Sequence, residues 1–120
     1  MKTAINPENL ADFFVEYVNS GKLEGVVSLY EESAVLIISQ NNDTACGKTE
    51  IRAFYKSLLD FKPKFEKGIQ QPAIINGNIA LTSSRLTNGF VTAEIARKQI
   101  DGSWLWMIDQ PKIAIESLPL

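Results

Sequence analysis

The sequence has no histidine and a single cysteine, Cys46. The first absence excludes histidine triads, histidine–carboxylate pairs and histidine metal ligands. The second excludes an intrachain disulfide and leaves one thiol with no imidazole to activate it. Long hydrophobic runs are missing too. The apolar stretches last a few residues, against the roughly 20 that span a bilayer. Asp12 and Glu16 interrupt the apolar pattern of residues 1–20, unlike the core of a secretory leader. Charge of one sign is not in excess: 12 basic and 14 acidic side chains leave a formal charge of -2, without the basic stripe of a nucleic-acid binder. The polar run Asn41, Asn42 and Asp43 lacks the ligand spacing and terminal glutamate of a calcium loop. These absences set the expectations: a cytoplasmic protein with no nucleic-acid partner, no membrane partner, no metal and no cofactor.

What is present suits one domain over residues 1–120, with 45% hydrophobic and 22% charged residues. Leu10, Phe13, Phe14, Tyr17 and Val18 form one apolar stripe and predict a helix over 7–19, with Asn6 as N-cap and Pro7 in the first turn. Gly21 ends it. Leu23, Val26, Val27 and Tyr30 predict a second helix over about 22–31, in which Gly25 permits close approach. Residues 34–38 read as a strand and 39–48 as a loop. Ile51, Phe54, Tyr55 and Leu58 predict a third helix over about 48–59.

Beyond Pro63 the period is that of strands. Asn76-Gly77, Asn88-Gly89 and Asp101-Gly102 have hairpin chemistry, with positive φ expected at both residues of each dipeptide. They divide the second half into segments near 64–75, 78–87, 90–100 and 103–109, read as an antiparallel meander. A last piece, Lys112 to Glu116, extends the final strand beyond Pro111. The fold class expected is α+β: three helices and a curved antiparallel sheet wrapped around a long N-terminal helix, cone-shaped, with a pocket at the open end.

Four stretches resemble a known superfamily. They are residues 17–30, a helix–Gly–helix opening; Glu31 to Val35, an acidic exit into a strand; Gly47 to Tyr55, a glycine-led helix; and Asp101-Gly102-Ser103-Trp104, a hairpin. Together they are similar to the nuclear-transport-factor-like, cystatin-like cone, and within it to SnoaL-like and ketosteroid-isomerase-like domains. The resemblance implies a homodimer through the outer sheet face and a pocket for a small, largely apolar ligand. It also implies three proton-handling positions, which here read Phe14, Ile38 and Ala96. None of these side chains can donate or accept a proton, so ketosteroid-isomerase chemistry is not expected.

The remaining polar groups on pocket-compatible elements are Tyr17, Tyr55, Arg85, Glu94 and Asp109. Glu94 shares parity with Ala96, and an Arg85–Glu94 cross-strand pair is one reading, a rim salt bridge the other. Simple alternation places Trp104 and Trp106 on one face of their strand and Leu105, Met107 and Asp109 on the other. Three functions stay open. The preferred one is an uncharacterised small-ligand-binding domain. The others are a cofactor-independent lyase, isomerase or hydrolase using those polar groups, and a dimeric structural or interaction module.

Overall fold

A computed structural model describes residues 1–115; Glu116, the end of the expected last strand, lies outside them. The elements are α1 (Asn9–Asn19), α2 (Leu23–Val27), β1 (Tyr30–Ile37), β2 (Thr44–Cys46), α3 (Gly47–Leu59), β3 (Ile69–Gln70), β4 (Ile74–Asn76), β5 (Ile79–Thr82), β6 (Ser84–Arg85), β7 (Phe90–Lys98) and β8 (Trp104–Ile115). The α+β class and the three helices are as expected.

The sheet is not. Its main path runs β2-β1-β8-β7-β5-β4, with β6 branching from β7 and carrying β3. β1 lies parallel to β8 and every other pair is antiparallel. The sheet is therefore mixed and open: its end strands β2 and β4 do not pair, and it is not curled shut around a helix. The first helix is not the long one either, since α1 has 11 residues and α3 has 13. The antiparallel cone wrapped on a long N-terminal helix is thus corrected to an open mixed sheet under three helices. The physical reason is the placement of β1. It is the first strand in the chain, yet it docks against the last, and a strand inserted beside β8 in that direction makes a parallel pair.

Local chemistry explains the smaller departures. Pro7 and Glu8 form a turn ahead of α1, in which the Asn9 amide donates to the Asn6 carbonyl at 3.0 Å and the Asn6 amide to Asn9 Oδ1 at 3.0 Å. α2 stops at Val27 because the Trp106 amide captures the Leu29 carbonyl at 2.8 Å, so Tyr30 opens a strand rather than closing a helix. The β4–β5 turn is Gly77-Asn78, between the paired Asn76 and Ile79. Gly77 has φ +61°, while Asn76, Asn88 and Asp101 keep negative φ. One residue of each dipeptide, the glycine, therefore takes the left-handed conformation.

One face of the sheet is the core wall. Thr82, Glu94, Asp109 and Leu36 make one row across β5, β7, β8 and β1, and Ala80, Ala96, Trp106 and Tyr30 make the next. All eight are buried. Leu10 and Val18 of α1, Val26 of α2, and Ile51 and Tyr55 of α3 pack onto this wall. Gly25 shows how tight the helical layer is: a Cβ there would meet the Tyr17 ring at 2.6 Å. In an exposed helix Gly→Ala would gain about 1 kcal/mol. Here Gly25→Ala should instead destabilise by about 1–3 kcal/mol through overpacking, read as a lowered urea midpoint.

Candidate functional site

The polar centre of the core wall is built by a bulge. Ile95 pairs with Ile108 while the adjacent Ala96 pairs with Trp106, so Met107 is an extra residue in β8. The bulge inverts the alternation beyond it. Asp109 consequently shares the inner face with Trp106, and the reading that set them on opposite faces is corrected. A second irregularity lies between Val91–Ala114 and Ala93–Gln110. It takes up Pro111, which has no ladder donor, and lets β8 run on to Ile115.

Asp109 receives the Tyr30 hydroxyl at 2.5 Å, and the Tyr30 and Tyr55 hydroxyls lie 2.7 Å apart. With Asp109 ionised, Tyr30 gives its one proton to the carboxylate, so Tyr55 donates to Tyr30. Beside Asp109 in register stands Glu94, whose Oε1 accepts from the Thr82 hydroxyl at 2.7 Å. Burial, and then the charge of Glu94, push the Asp109 carboxyl up to about 7. Burial also raises Glu94, against the hydrogen bonds of Thr92 and Thr82. The Tyr30 and Tyr55 phenols are pushed well up, by burial first and by the charge of Asp109 second. Two buried carboxyls thus stand on neighbouring strands, both held above their ordinary values, and Asp109 at about 7 can offer or accept a proton near neutral pH.

Aromatic rings enclose this network. Trp106 stacks at a tilt on Tyr30, with centroids 5.3 Å apart. Phe14 meets Tyr55 edge-on at 5.8 Å, Trp106 at 5.9 Å and Phe65 in a stack at 6.0 Å. Phe65 is 37% exposed, so the ring series Trp106, Phe14, Phe65 leads from the network to the surface. The Trp106 indole N–H is buried and has no hydrogen-bond partner. A buried donor of this kind is costly to leave bare.

The eight residues singled out in the sequence fall in different places. Tyr55, Glu94 and Asp109 come together in the network, with Phe14 packed over it and Ala96 buried in the adjacent row. Tyr17 is buried but faces away, its hydroxyl accepting from the Lys2 amide at 2.8 Å. Ile38 lies beyond the end of β1 and is 38% exposed. Arg85 pairs in register with Val91 and Ile69, whereas Glu94 pairs with Thr82 and Asp109. Arg85 is exposed and Glu94 buried, so the two are not cross-strand partners. Sequence reasoning missed Tyr30, Thr82 and the role of Trp106. The signal for Tyr30 was its even spacing from Ala34 and Leu36, both inward, but the apolar helical stripe that ends on it masked that parity. Among the described residues no three metal-ligating side chains lie together. Two surface depressions, of about 520 Å³ beside Lys2, Tyr17 and Gly25 and about 220 Å³ beside Asn42, Phe90 and Gln110, are separate from the network.

No protein-family model matches the sequence, and a search of curated proteins gives no match. Solved structures do match. A protein described as a calcium/calmodulin-dependent protein kinase type II association domain, from Thiobacillus denitrificans, is 15% identical with a TM-score of 0.72, covering 92% of this chain and 96% of its own. A protein of unknown function with a cystatin-like fold from Nostoc punctiforme is 22% identical with a TM-score of 0.64, covering 86% and 84%. A ketosteroid isomerase-like protein from Erwinia carotovora is 21% identical with a TM-score of 0.65, covering 89% and 93%. At these identities the likeness establishes the fold: the chain has the nuclear-transport-factor-like, cystatin-like architecture that ketosteroid-isomerase-like proteins share.

The Asp109 carboxyl sets a pH dependence opposite to that of a salt-bridged aspartate. Its folded value, about 7, lies above the ordinary 3.8, so the folded state binds the proton more tightly. The stability it contributes is full below about pH 4 and lost as pH rises through about 7. Asp109→Asn keeps an acceptor for Tyr30 and removes the titration. Its stability relative to the native protein should therefore rise between pH 4 and pH 8, by on the order of 2–4 kcal/mol, in denaturant unfolding at the two pH values. A difference that stays flat or falls would contradict this account.

Proposed function

We propose that this protein binds a small, largely apolar ligand against the inner face of its sheet, with the Asp109–Tyr30–Tyr55 network as the polar anchor. The observation that carries the reading is the buried Tyr30–Asp109 bond inside an aromatic wall. A carboxyl near neutrality, a phenol relay and a bare indole N–H are more polar capacity than a purely structural core requires. Ligand sites characteristically place a few such groups among apolar ones. Phe14, Ile38 and Ala96 support binding without ketosteroid-isomerase chemistry, since none of them can move a proton. Phe65, the exposed end of the ring series, is where this aromatic wall reaches the surface.

Heteronuclear NMR of the labelled protein with a set of small neutral cyclic alcohols and ketones tests this. The Trp106 indole N–H and the resonances of Tyr30, Tyr55 and Asp109 should shift together on titration. Shifts confined to the Lys2–Tyr17 depression, or no shifts, would refute the reading.

A second reading, self-association, is favoured by the opposite sheet face. Ile74, Leu81, Ile95, Ile108 and Val35 form a continuous apolar row across β4, β5, β7, β8 and β1. Ile74, Leu81 and Ile108 are 67%, 41% and 42% exposed. An apolar row of this extent on a sheet suits a symmetric interface with a second copy, as the resemblance implies. The Thiobacillus structure is described as an association domain, which agrees with such a role. Sedimentation velocity should give a homodimer at micromolar concentration, and Ile108→Glu should give a monomer with unchanged circular dichroism.

A further inference from the structure

The inner wall holds two acids, and the hydrogen bonds they receive among the described residues come from no cation. Glu94 and Asp109 are register partners on β7 and β8, 5% and 6% exposed. Side chains so paired stand about 5 Å apart at their Cβ atoms, close enough for one small group to touch both. The hydrogen bonds they receive come from neutral hydroxyls, Thr82 and Thr92 to Glu94 and Tyr30 to Asp109. Lys2, Arg52, Lys67 and Arg97 are engaged elsewhere, with Glu16, Glu24, Asp12 and Glu31. Two adjacent carboxylates out of water repel each other unless a proton or a cation intervenes.

Two further features of the same wall point to a ligand. Tyr30, Tyr55, Trp106 and Phe14 lie with centroids 5.3–6.0 Å apart, a ring set whose faces attract an organic cation. Trp106, 4% exposed and next to Tyr30 on this wall, has its indole N–H without a partner, and that donor calls for an acceptor oxygen. A ligand carboxylate would satisfy the indole but be repelled by the acids. A neutral alcohol would satisfy the indole and leave the acids as they are.

We propose that the ligand of this inner face is a small protonated amine with an oxygen acceptor on a cyclic apolar frame. Its ammonium group bridges Asp109 and Glu94, and its oxygen accepts from the Trp106 indole. The assignment rests on the inner-face binding reading above and names the ligand class for it. An ammonium has three donors and no acceptor, so it can serve both carboxylates while Tyr30 and Thr82 keep their bonds.

The test uses one frame with one group changed at a time: phenylethanolamine, phenylethanediol, phenethylamine and mandelate. Each is titrated into the native chain at pH 7 and low salt by calorimetry, with the Trp106 indole resonance followed in parallel. Phenylethanolamine should bind about tenfold or more tighter than the diol, as a charge-assisted hydrogen bond to a buried acid implies. Phenethylamine should bind more weakly than phenylethanolamine without the indole shift, and mandelate should not bind. Asp109→Asn and Glu94→Gln, isosteric changes checked by thermal melts, should each remove most of the amine's advantage over the diol. If the diol binds as well as the amine and shifts Trp106, the amine class is overturned while inner-face binding stands. A preference that survives both substitutions overturns the class as well. If no probe shifts Trp106, Tyr30 or Asp109, both the class and the binding reading fail.

Discussion

The hydrogen bond from Tyr30 to Asp109 joins the first strand of the chain to the last, and the centre of the molecule is organised on it. Neither partner would be stable in this core alone. A buried carboxylate without a donor costs several kcal/mol, and a buried phenol without an acceptor costs less but still measurably. Together they satisfy each other, and Tyr55 from α3 is drawn in by the lone pairs that Tyr30 has left. Through this relay β1, α3 and β8 share one polar contact inside an otherwise apolar layer. It reinforces the parallel β1–β8 pairing, whose backbone ladder is interrupted between Tyr30 and Val35.

That contact exists because the sheet is irregular where it is. If β8 alternated regularly through Met107, with no bulge there, Asp109 would point to the outer face and Ile108 inward. The core would gain a methylene-rich side chain and lose its acid. The bulge therefore exchanges apolar packing for a titratable group, an exchange that ordinary core design avoids. Irregularities that re-aim one side chain are characteristic of binding surfaces. The same shift serves the other face as well, since it brings Ile108 into line with Ile95 and Leu81 to form the exposed apolar row.

Much of the architecture was legible in the chain. The stripes of α1 and α3, the glycine at each hairpin and the parity of Glu94 with Ala96 follow from periods of 3.6 and 2 that local sterics impose. Tyr55, Glu94 and Asp109 were visible as polar residues on pocket-compatible elements. Their partnership was not. Tyr30 carries the apolar spacing of the helix before it, and only the capture of the Leu29 carbonyl by Trp106 ends that helix early. The curled antiparallel sheet was a sound expectation for a meander read alone, but β1 and β2 precede the meander and add themselves to its far side.

Residue order by itself determined the apolar stripes of α1 and α3, the glycine at each hairpin, and the exclusion of histidine chemistry and of an intrachain disulfide, because these depend on residue type and near-neighbour geometry. Tertiary structure alone decided that the sheet is open and mixed, that Asp109 faces inward, and that it meets Tyr30, 79 positions away in the chain. Strand order and a one-residue bulge are settled by pairing between distant segments. The free energy that selects them is that of burial summed over the whole wall, and no local window of the chain contains it.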